Sequence, residues 1–163
     1  MKQQLIGTGL LNVYLMPGEI YVSRVPAMVS TVLGSCVSVI LYSPGLAMGA
    51  ICHAMLPSGG DENGLRYVDT AVTAMYEKLG KICKRSLDFE VKLFGGANLL
   101  NPGTGCSTGP MTVGQQNVEA ALQAIKALGL TLVASHTGGD RGRKIYFNSM
   151  TGEVLMRPVR RTM

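Results

Sequence analysis

Short apolar blocks, separated by Pro and Gly, fill the first third of the chain and predict β-strands. The blocks are Ile20 to Ser23, Val29 to Leu33, Val37 to Tyr42 and Leu46 to Leu56. The third block gives the strongest strand signal, and Ser43-Pro44-Gly45 follows it as a turn. Because a short turn joins antiparallel neighbours, we expect the last two blocks to form an antiparallel pair.

The hydrophobic period then changes from two to three or four residues, which predicts amphipathic helices. The first helix is indicated by a stripe made of Leu65, Val68, Val72, Met75, Leu79 and Ile82. The second is expected from about Thr112 to Leu128, with Gly129 as its C-terminal stop. Further strands are predicted at Phe89 to Phe94, Leu130 to Ala134, Lys144 to Asn148 and Glu153 to Arg157. Strands and two helices on one face of a sheet predict a layered α+β or mixed α/β domain, and no linker divides residues 1–163.

Composition narrows the class of protein. Of the 163 residues, 47% are hydrophobic and only 15% charged, which favours a compact fold over disorder. The first seven residues lack the apolar stretch of a signal peptide, and no run approaches the roughly 20 residues that span a bilayer. We therefore expect a cytoplasmic protein.

A net charge of +5 raises the question of an acidic partner. Basic residues cluster near Lys84 and near the C-terminus, but no stacking aromatic residues are interleaved with them. Nucleic-acid binding is therefore disfavoured. A solvated surface or attraction to an acidic protein explains the charge.

Four cysteines are spread along the chain without a C-x-x-C pair, so reduced thiols are expected rather than disulfides or a zinc site. Cys36 follows Gly34 and Ser35, which allow a sharp turn and leave backbone N–H groups to face an oxyanion. The alternative is that Cys36 is a small buried hydrophobic residue.

His53 lies about as far beyond the predicted turn as Cys36 lies before it, so the two become near cross-strand neighbours. A paired histidine lowers the pKa of a thiol and yields an attacking thiolate. An isolated histidine on an apolar strand can instead be a core residue. Cys52 should face away from His53, because strand side chains alternate.

Cys106 is a competing nucleophile, with His136 as its base. It lies in a glycine-rich loop, which is a poor platform for a preorganised site. Cys83, on the tail of the first helix, is interpreted as structural.

Several blocks together resemble the CheD family of chemoreceptor glutamine deamidases. They are Thr31 to Val39, Gly49 to Pro57, Arg66 to Asp69, Lys92 to Ala97, Val113 to Val118, Gly138-Gly139 and Gly142 to Lys144. The first two blocks are the most specific.

The resemblance implies a layered sandwich of mainly antiparallel strands with two principal helices packed on one face. It assigns the nucleophile to Cys36 and the acid/base to His53, with Gly34 and Ser35 beside the oxyanion. The family's third residue is a threonine six positions before the cysteine, where this chain has Ser30 with Thr31 beside it. His136 also departs from the family, which commonly has an acidic residue there.

The resemblance further implies a cofactor-free reaction that converts receptor glutamines to glutamate through a Cys-His thioester. Receptor methylesterase activity and binding of the CheC phosphatase are implied as additional properties. A different hypothesis is a non-catalytic binding partner of receptors or of CheC. A redox-sensing thiol is disfavoured, because no resolving cysteine lies beside Cys36.

Overall fold

The computed structural model describes residues 2–5, 9–59, 64–83, 88–100 and 109–160. Within these ranges the chain forms ten strands, two α-helices and a 3-10 turn at Gly64–Arg66. The helices are α1 (Val68–Ile82) and α2 (Val113–Ala127). The strands are β1 (Lys2–Leu5), β2 (Leu11–Tyr14), β3 (Ile20–Val22), β4 (Ala27–Leu33), β5 (Val37–Ser43), β6 (Met48–Cys52), β7 (Glu90–Gly95), β8 (Thr131–Thr137), β9 (Arg143–Asn148) and β10 (Val154–Pro158).

The strands make two five-stranded sheets. The first sheet has the order β1-β2-β4-β9-β10 and the second the order β3-β6-β5-β7-β8. Only the β2–β4 and β7–β8 pairs are parallel among the described pairings. Consecutive strands β4 and β5 lie in different sheets, so the chain crosses from one sheet to the other within residues 34–36.

Two apolar layers hold the sheets and helices together. One lies between the sheets and includes Val29, Leu33, Ile40 and Phe147. The other lies between the second sheet and both helices, and its members include Val39, Val72 and Leu93. Because β5 contributes to both layers, all seven of its residues are buried, which explains its continuous apolar sequence.

The helices begin and end where their local chemistry requires. Thr112 caps α2 through a hydrogen bond from the Gln115 N–H, and the Gln115 side chain accepts from the Thr112 N–H. Beyond the helix, Gly129 has a φ of +69°, which a residue with a side chain rarely adopts. In α1 the buried face is built from Val68, Ala71, Val72, Met75 and Leu79.

The fold class predicted from the sequence is confirmed: a layered α+β sandwich of mainly antiparallel strands with both helices on one face. The antiparallel β5–β6 pair is also as predicted. Strands β1 and β2 were missed, and the predicted strand Leu46 to Leu56 is shorter, at Met48–Cys52. The assignment of residues 1–163 to one domain stays a prediction. Neither helix within the described ranges is long and apolar enough to span a bilayer.

Candidate active site

Cys36 lies at the crossover between the two sheets, directly before β5. The carbonyl of Cys36 accepts a hydrogen bond from the Gly96 N–H at 2.9 Å, and that of Gly34 accepts one from the Ala97 N–H at 2.9 Å. A Cβ on Gly95 would collide with the Cys36 carbonyl, so only glycine lets β7 approach this closely. The loop that carries the thiol is therefore held by the main chain after β7.

His53 follows β6 and is only 3% exposed. The main-chain N–H of His53 donates to the Glu19 carbonyl at 3.0 Å, and the His53 carbonyl accepts from the Gly18 N–H at 2.8 Å. The main chain of His53 is thus fixed by the turn before β3.

The register brings Cys36 and His53 to the same end of the β5–β6 pair. Val37 and Ala54 form a bridge that continues the ladder, which places Ser38 opposite His53 and Cys36 two positions further along on the same face. That face is directed into the layer between the sheets. Diagonal neighbours of this kind are about 7–8 Å apart at Cα. Among the described residues, the side-chain hydrogen bond of His53 goes to Thr31, and none joins it to Cys36.

Thr31 contacts His53 across the two sheets and determines its tautomer. The Thr31 Oγ1 lies 2.6 Å from the His53 Nδ1 and also donates to the Leu15 carbonyl at 2.8 Å. A hydroxyl has one proton, and here that proton goes to Leu15. The Nδ1 must therefore carry the hydrogen and donate it to Thr31, which leaves the Nε2 with the lone pair of a base.

Ser30 does not share this position. It alternates with Thr31 along β4 and pairs with Tyr146, so its side chain is on the face of the first sheet that is turned away from the second sheet. Of the two candidates that the sequence left open, Thr31 is the one beside the imidazole.

Burial shifts both candidate reacting groups toward their neutral forms. It raises the pKa of the Cys36 thiol, an effect opposed in part by the backbone N–H of Cys36 itself. It lowers the pKa of His53 to about 4, although the Glu19 carboxylate acts in the opposite direction. The sequence led us to expect a thiol with a lowered pKa; the shift has the opposite sign, so the resting pair is a thiol and a neutral imidazole.

Gly34 and Ser35, the residues predicted beside the oxyanion, form the loop in front of the thiol. A Cβ on Gly34 would lie 2.8 Å from Leu99 Cδ1, so a larger residue would displace Leu99 from this loop. Leu99 is half exposed and packs against this loop at Gly34.

The remaining cysteines and His136 have other surroundings. Cys52 is fully buried on the helix side of its strand, as predicted, and burial raises its pKa to about 11. Cys83 ends α1, and Cys106 lies outside the described residues. The Nδ1 of His136 accepts a hydrogen bond from Arg143 at 2.6 Å. Within the described ranges, no group of three or more potential ligands could hold a metal ion.

Two polar residues of this region were missed by sequence reasoning. Arg143 is buried and donates to the carbonyls of His136 and Gly138, which fixes the loop that in turn bonds the Gly95 carbonyl. Ser38 lies opposite His53 with a buried hydroxyl that has no partner among the described residues. The sequence signals were that Ser38 is a polar residue inside the apolar block Val37 to Tyr42, and that Arg143 lies in the block Gly142 to Lys144 that resembles the family.

The chain is similar to proteins of one known family. Residues 55–158 match the family model CheD, described as CheD chemotactic sensory transduction. A protein of Geobacter sulfurreducens named "Probable chemoreceptor glutamine deamidase CheD 2" is 42% identical over 94% of this chain and 93% of its own length. One of Maridesulfovibrio salexigens, named "Probable chemoreceptor glutamine deamidase CheD", is 38% identical over 93% of this chain and 94% of its own length. A protein of Thermococcus kodakarensis with the same name is 39% identical over 87% of this chain and 89% of its own length.

Proposed function

The chain belongs to the CheD family, and from that premise we propose that it is an enzyme that deamidates selected glutamines of chemoreceptors, with Cys36 as the nucleophile. Its relatives are named for that activity on chemoreceptors. The glutamine side chain becomes glutamate, and ammonia is released.

The contact between Thr31 and His53 is the observation that carries the proposal. It holds an imidazole in the tautomer with a basic Nε2, on the face of the sheet that also bears the thiol. A histidine that only filled the core would need a hydrogen bond, but it would not need a cysteine as its diagonal neighbour at the end of a strand pair.

The attack starts from neutral groups, because burial keeps Cys36 protonated and His53 unprotonated. The Nε2 of His53 removes the thiol proton as the sulfur adds to the amide carbon of the glutamine. The main-chain N–H groups of Cys36 and Ser35 stabilise the oxyanion that forms. The resulting imidazolium gives its proton to the leaving nitrogen, so that ammonia departs and a thioester remains.

Hydrolysis reverses these proton transfers. Neutral His53 takes a proton from water as the water oxygen adds to the thioester carbon. The imidazolium then returns that proton to sulfur as the carbon–sulfur bond breaks. The net reaction consumes one water and yields glutamate, ammonia and the original thiol, without a cofactor.

The partners in this proposal are the cytoplasmic helices of chemoreceptors, which places the protein in the cytoplasm, and a CheC-type phosphatase where one exists. A receptor methyl ester fits the same two steps with methanol as the leaving group, so methylesterase activity is part of the proposal. The net charge of +5 favours acidic receptor surfaces.

Incubation with a receptor cytoplasmic fragment tests the proposal, with glutamine-to-glutamate conversion mapped by mass spectrometry. Cys36→Ala should lower the rate by about 10³-fold or more, because the nucleophile is removed. Cys52→Ala is the matched control: it removes a thiol from the same hairpin on the opposite face and should keep the activity. Equal rates for Cys36→Ala and the unaltered protein would contradict the proposal. They would favour a non-catalytic binding partner instead, particularly if receptor binding persisted.

A further inference from the structure

The ladder between β5 and the segment after β6 stops one residue short of Cys36. Val37 and Ala54 exchange both main-chain hydrogen bonds, at 3.0 and 2.9 Å. In a continued ladder the Ser35 carbonyl would accept from the Leu56 N–H. Here the N–H groups of both Met55 and Leu56 donate to the Arg66 carbonyl instead. The two segments therefore separate at the level of the thiol, and the carbonyls of Ser35 and Met55 need another donor.

The side chain of Asn117 in α2 provides that donor. Its Nδ2 lies 2.9 Å from the Ser35 carbonyl and 3.0 Å from the Met55 carbonyl, and the residue is fully buried. Both neighbours accept hydrogen bonds, so the amide nitrogen rather than the oxygen must face them. Its Oδ1 has no partner among the described residues, so the amide is oriented for these two carbonyls at the expense of its own oxygen.

The bond to Ser35 also determines where the N–H of Cys36 points. The two groups belong to one trans peptide, so they point in opposite directions. With the Ser35 carbonyl directed at α2, the Cys36 N–H is directed away from the helix, where it interacts with the thiol of Cys36. The same N–H is the donor that the proposed mechanism assigns to the oxyanion.

Close packing of main chain against main chain fixes α2 beside this loop. A Cβ on Gly114 would lie 2.5 Å from the Gly96 carbonyl oxygen, so glycine allows α2 to pack directly on the main chain after β7. That segment donates to Cys36 and Gly34. Asn117 lies one helical turn beyond Gly114, so the packing at Gly114 also fixes the distance from Asn117 to the Cys36 loop.

We propose that Asn117 is a positioning residue for the deamidation reaction, and the proposal rests on the proposed function. Its amide replaces the missing ladder bond to the Ser35 carbonyl, joins Ser35 to Met55 beyond His53, and directs the Cys36 N–H toward the sulfur and the developing oxyanion. Asn117 itself does not touch the substrate.

Two variants test this role against a merely structural one. Asn117→Ala removes the donor in a residue that favours helices, and Asn117→Asp keeps the shape while replacing the donor with an acceptor. Ser149→Ala is the matched control, because it deletes another buried bond from a side chain to the main chain, from the Ala27 N–H to the Ser149 Oγ, at the far end of β4. All are measured well below their unfolding midpoints.

Three readouts are needed: the unfolding midpoint, the kcat and KM for the receptor fragment, and the pH dependence of Cys36 alkylation by iodoacetamide, followed on the Cys36 peptide. For both Asn117 variants, we expect kcat to fall roughly 10²-fold, as when one oxyanion donor is lost, and KM to change by less than about threefold. The alkylation midpoint should move to higher pH, because the N–H no longer stabilises the thiolate. Ser149→Ala should lower the unfolding midpoint and leave kcat and alkylation unchanged.

Folded Asn117 variants with the kcat and the alkylation profile of the unaltered protein would overturn the proposal. Failure of both variants to fold would overturn it too, because the amide would then serve the fold rather than Cys36. Alkylation requires no receptor, so it reports on Asn117 even if deamidation were absent. Failure of the proposed function would instead appear as deamidation that survives Cys36→Ala.

Discussion

The two ends of the sandwich differ in how their polar groups are paired. At the end where β5 turns into β6, the Tyr42 hydroxyl donates to the Met150 carbonyl at 2.7 Å, and Lys92 donates to the Gly152 carbonyl at 2.7 Å. Ser149 accepts from the Ala27 N–H at 2.9 Å. These bonds join the turn after β9 to both sheets.

At the opposite end lie Cys36, His53 and Thr31. The buried side-chain atoms that have no hydrogen-bond partner among the described residues are all here: Ser38 Oγ, Asn117 Oδ1 and Arg143 Nε. A buried polar atom without a partner costs about 1–3 kcal/mol. The contrast teaches that one end of the fold is the stable end, where buried polar groups are paired, while the end with Cys36 and His53 keeps buried polar atoms without a partner among the described residues.

Among the changes that compare the two ends, the largest expected effect comes from the bond that fixes the His53 tautomer. Thr31→Val keeps the shape of the side chain but removes the acceptor for the Nδ1–H, so kcat for the receptor fragment should fall roughly 10²–10³-fold. Thr31→Ser restores a hydroxyl and should recover most of the activity. An unchanged kcat in folded Thr31→Val would show that the base does not depend on this contact.

The next effect is a dependence of stability on pH that arises at the same end. The pKa of His53 is about 4 in the folded state and 6.5 for an ordinary histidine such as that of the unfolded chain, so the unfolded chain binds the proton first as the pH falls. The part of the free energy of unfolding that depends on neutral His53 is fully present above pH 6.5. It declines as the pH falls toward 4, by as much as roughly 3 kcal/mol. Urea unfolding at several pH values measures it, and His53→Gln should flatten the slope. A slope that His53→Gln leaves intact would assign the effect to other groups.

Two serines compare the ends directly. Ser149→Ala should lower the free energy of unfolding by about 1–3 kcal/mol, because the buried Ala27 N–H loses its partner. Ser38→Ala removes a hydroxyl that has no partner among the described residues, so stability should stay the same or rise by up to about 1 kcal/mol. Chemical denaturation of both variants checks the pair. Equal losses in the free energy of unfolding would mean that the buried serine hydroxyls at the two ends contribute equally to stability.

The smallest effect is expected at the stable end. Tyr42→Phe deletes the hydrogen bond to Met150 and should cost about 1 kcal/mol of stability, since that bond is only partly buried. The kcat should remain within about twofold of that of the unaltered protein. A large loss of activity would show that the two ends are coupled, which can be measured by combining Tyr42→Phe with Thr31→Val.

Sequence patterns were sufficient where one element controls its own structure. The continuous apolar block before Pro44, the helical stripe from Leu65 and the apolar face before Gly129 each predicted an element that the structure contains. Strands β1 and β2 were missed because each has only four residues. An alternating pattern of that length does not stand out from a loop. The diagonal placement of Cys36 and His53 follows from the turn between β5 and β6, which was visible in the sequence.

The choice between Ser30 and Thr31 required the tertiary structure. Both sides of β4 carry apolar residues, Val29 and Leu33 on one and Met28 and Val32 on the other, so the local pattern does not say which side faces the second sheet. Packing against Phe147 and Ile145 settles it, and Thr31 is then directed at His53.

The sequence alone determined the candidate reacting groups and the strand pair that carries them, because side-chain chemistry and the alternation along a strand are local properties. The tertiary structure decided their charge states and their supports. Burial that raises the pKa of Cys36 and lowers that of His53 depends on every chain segment packed around them. The amide of Asn117 reaches Ser35 from 82 positions away, because α2, packed on the second sheet, begins beside the crossover.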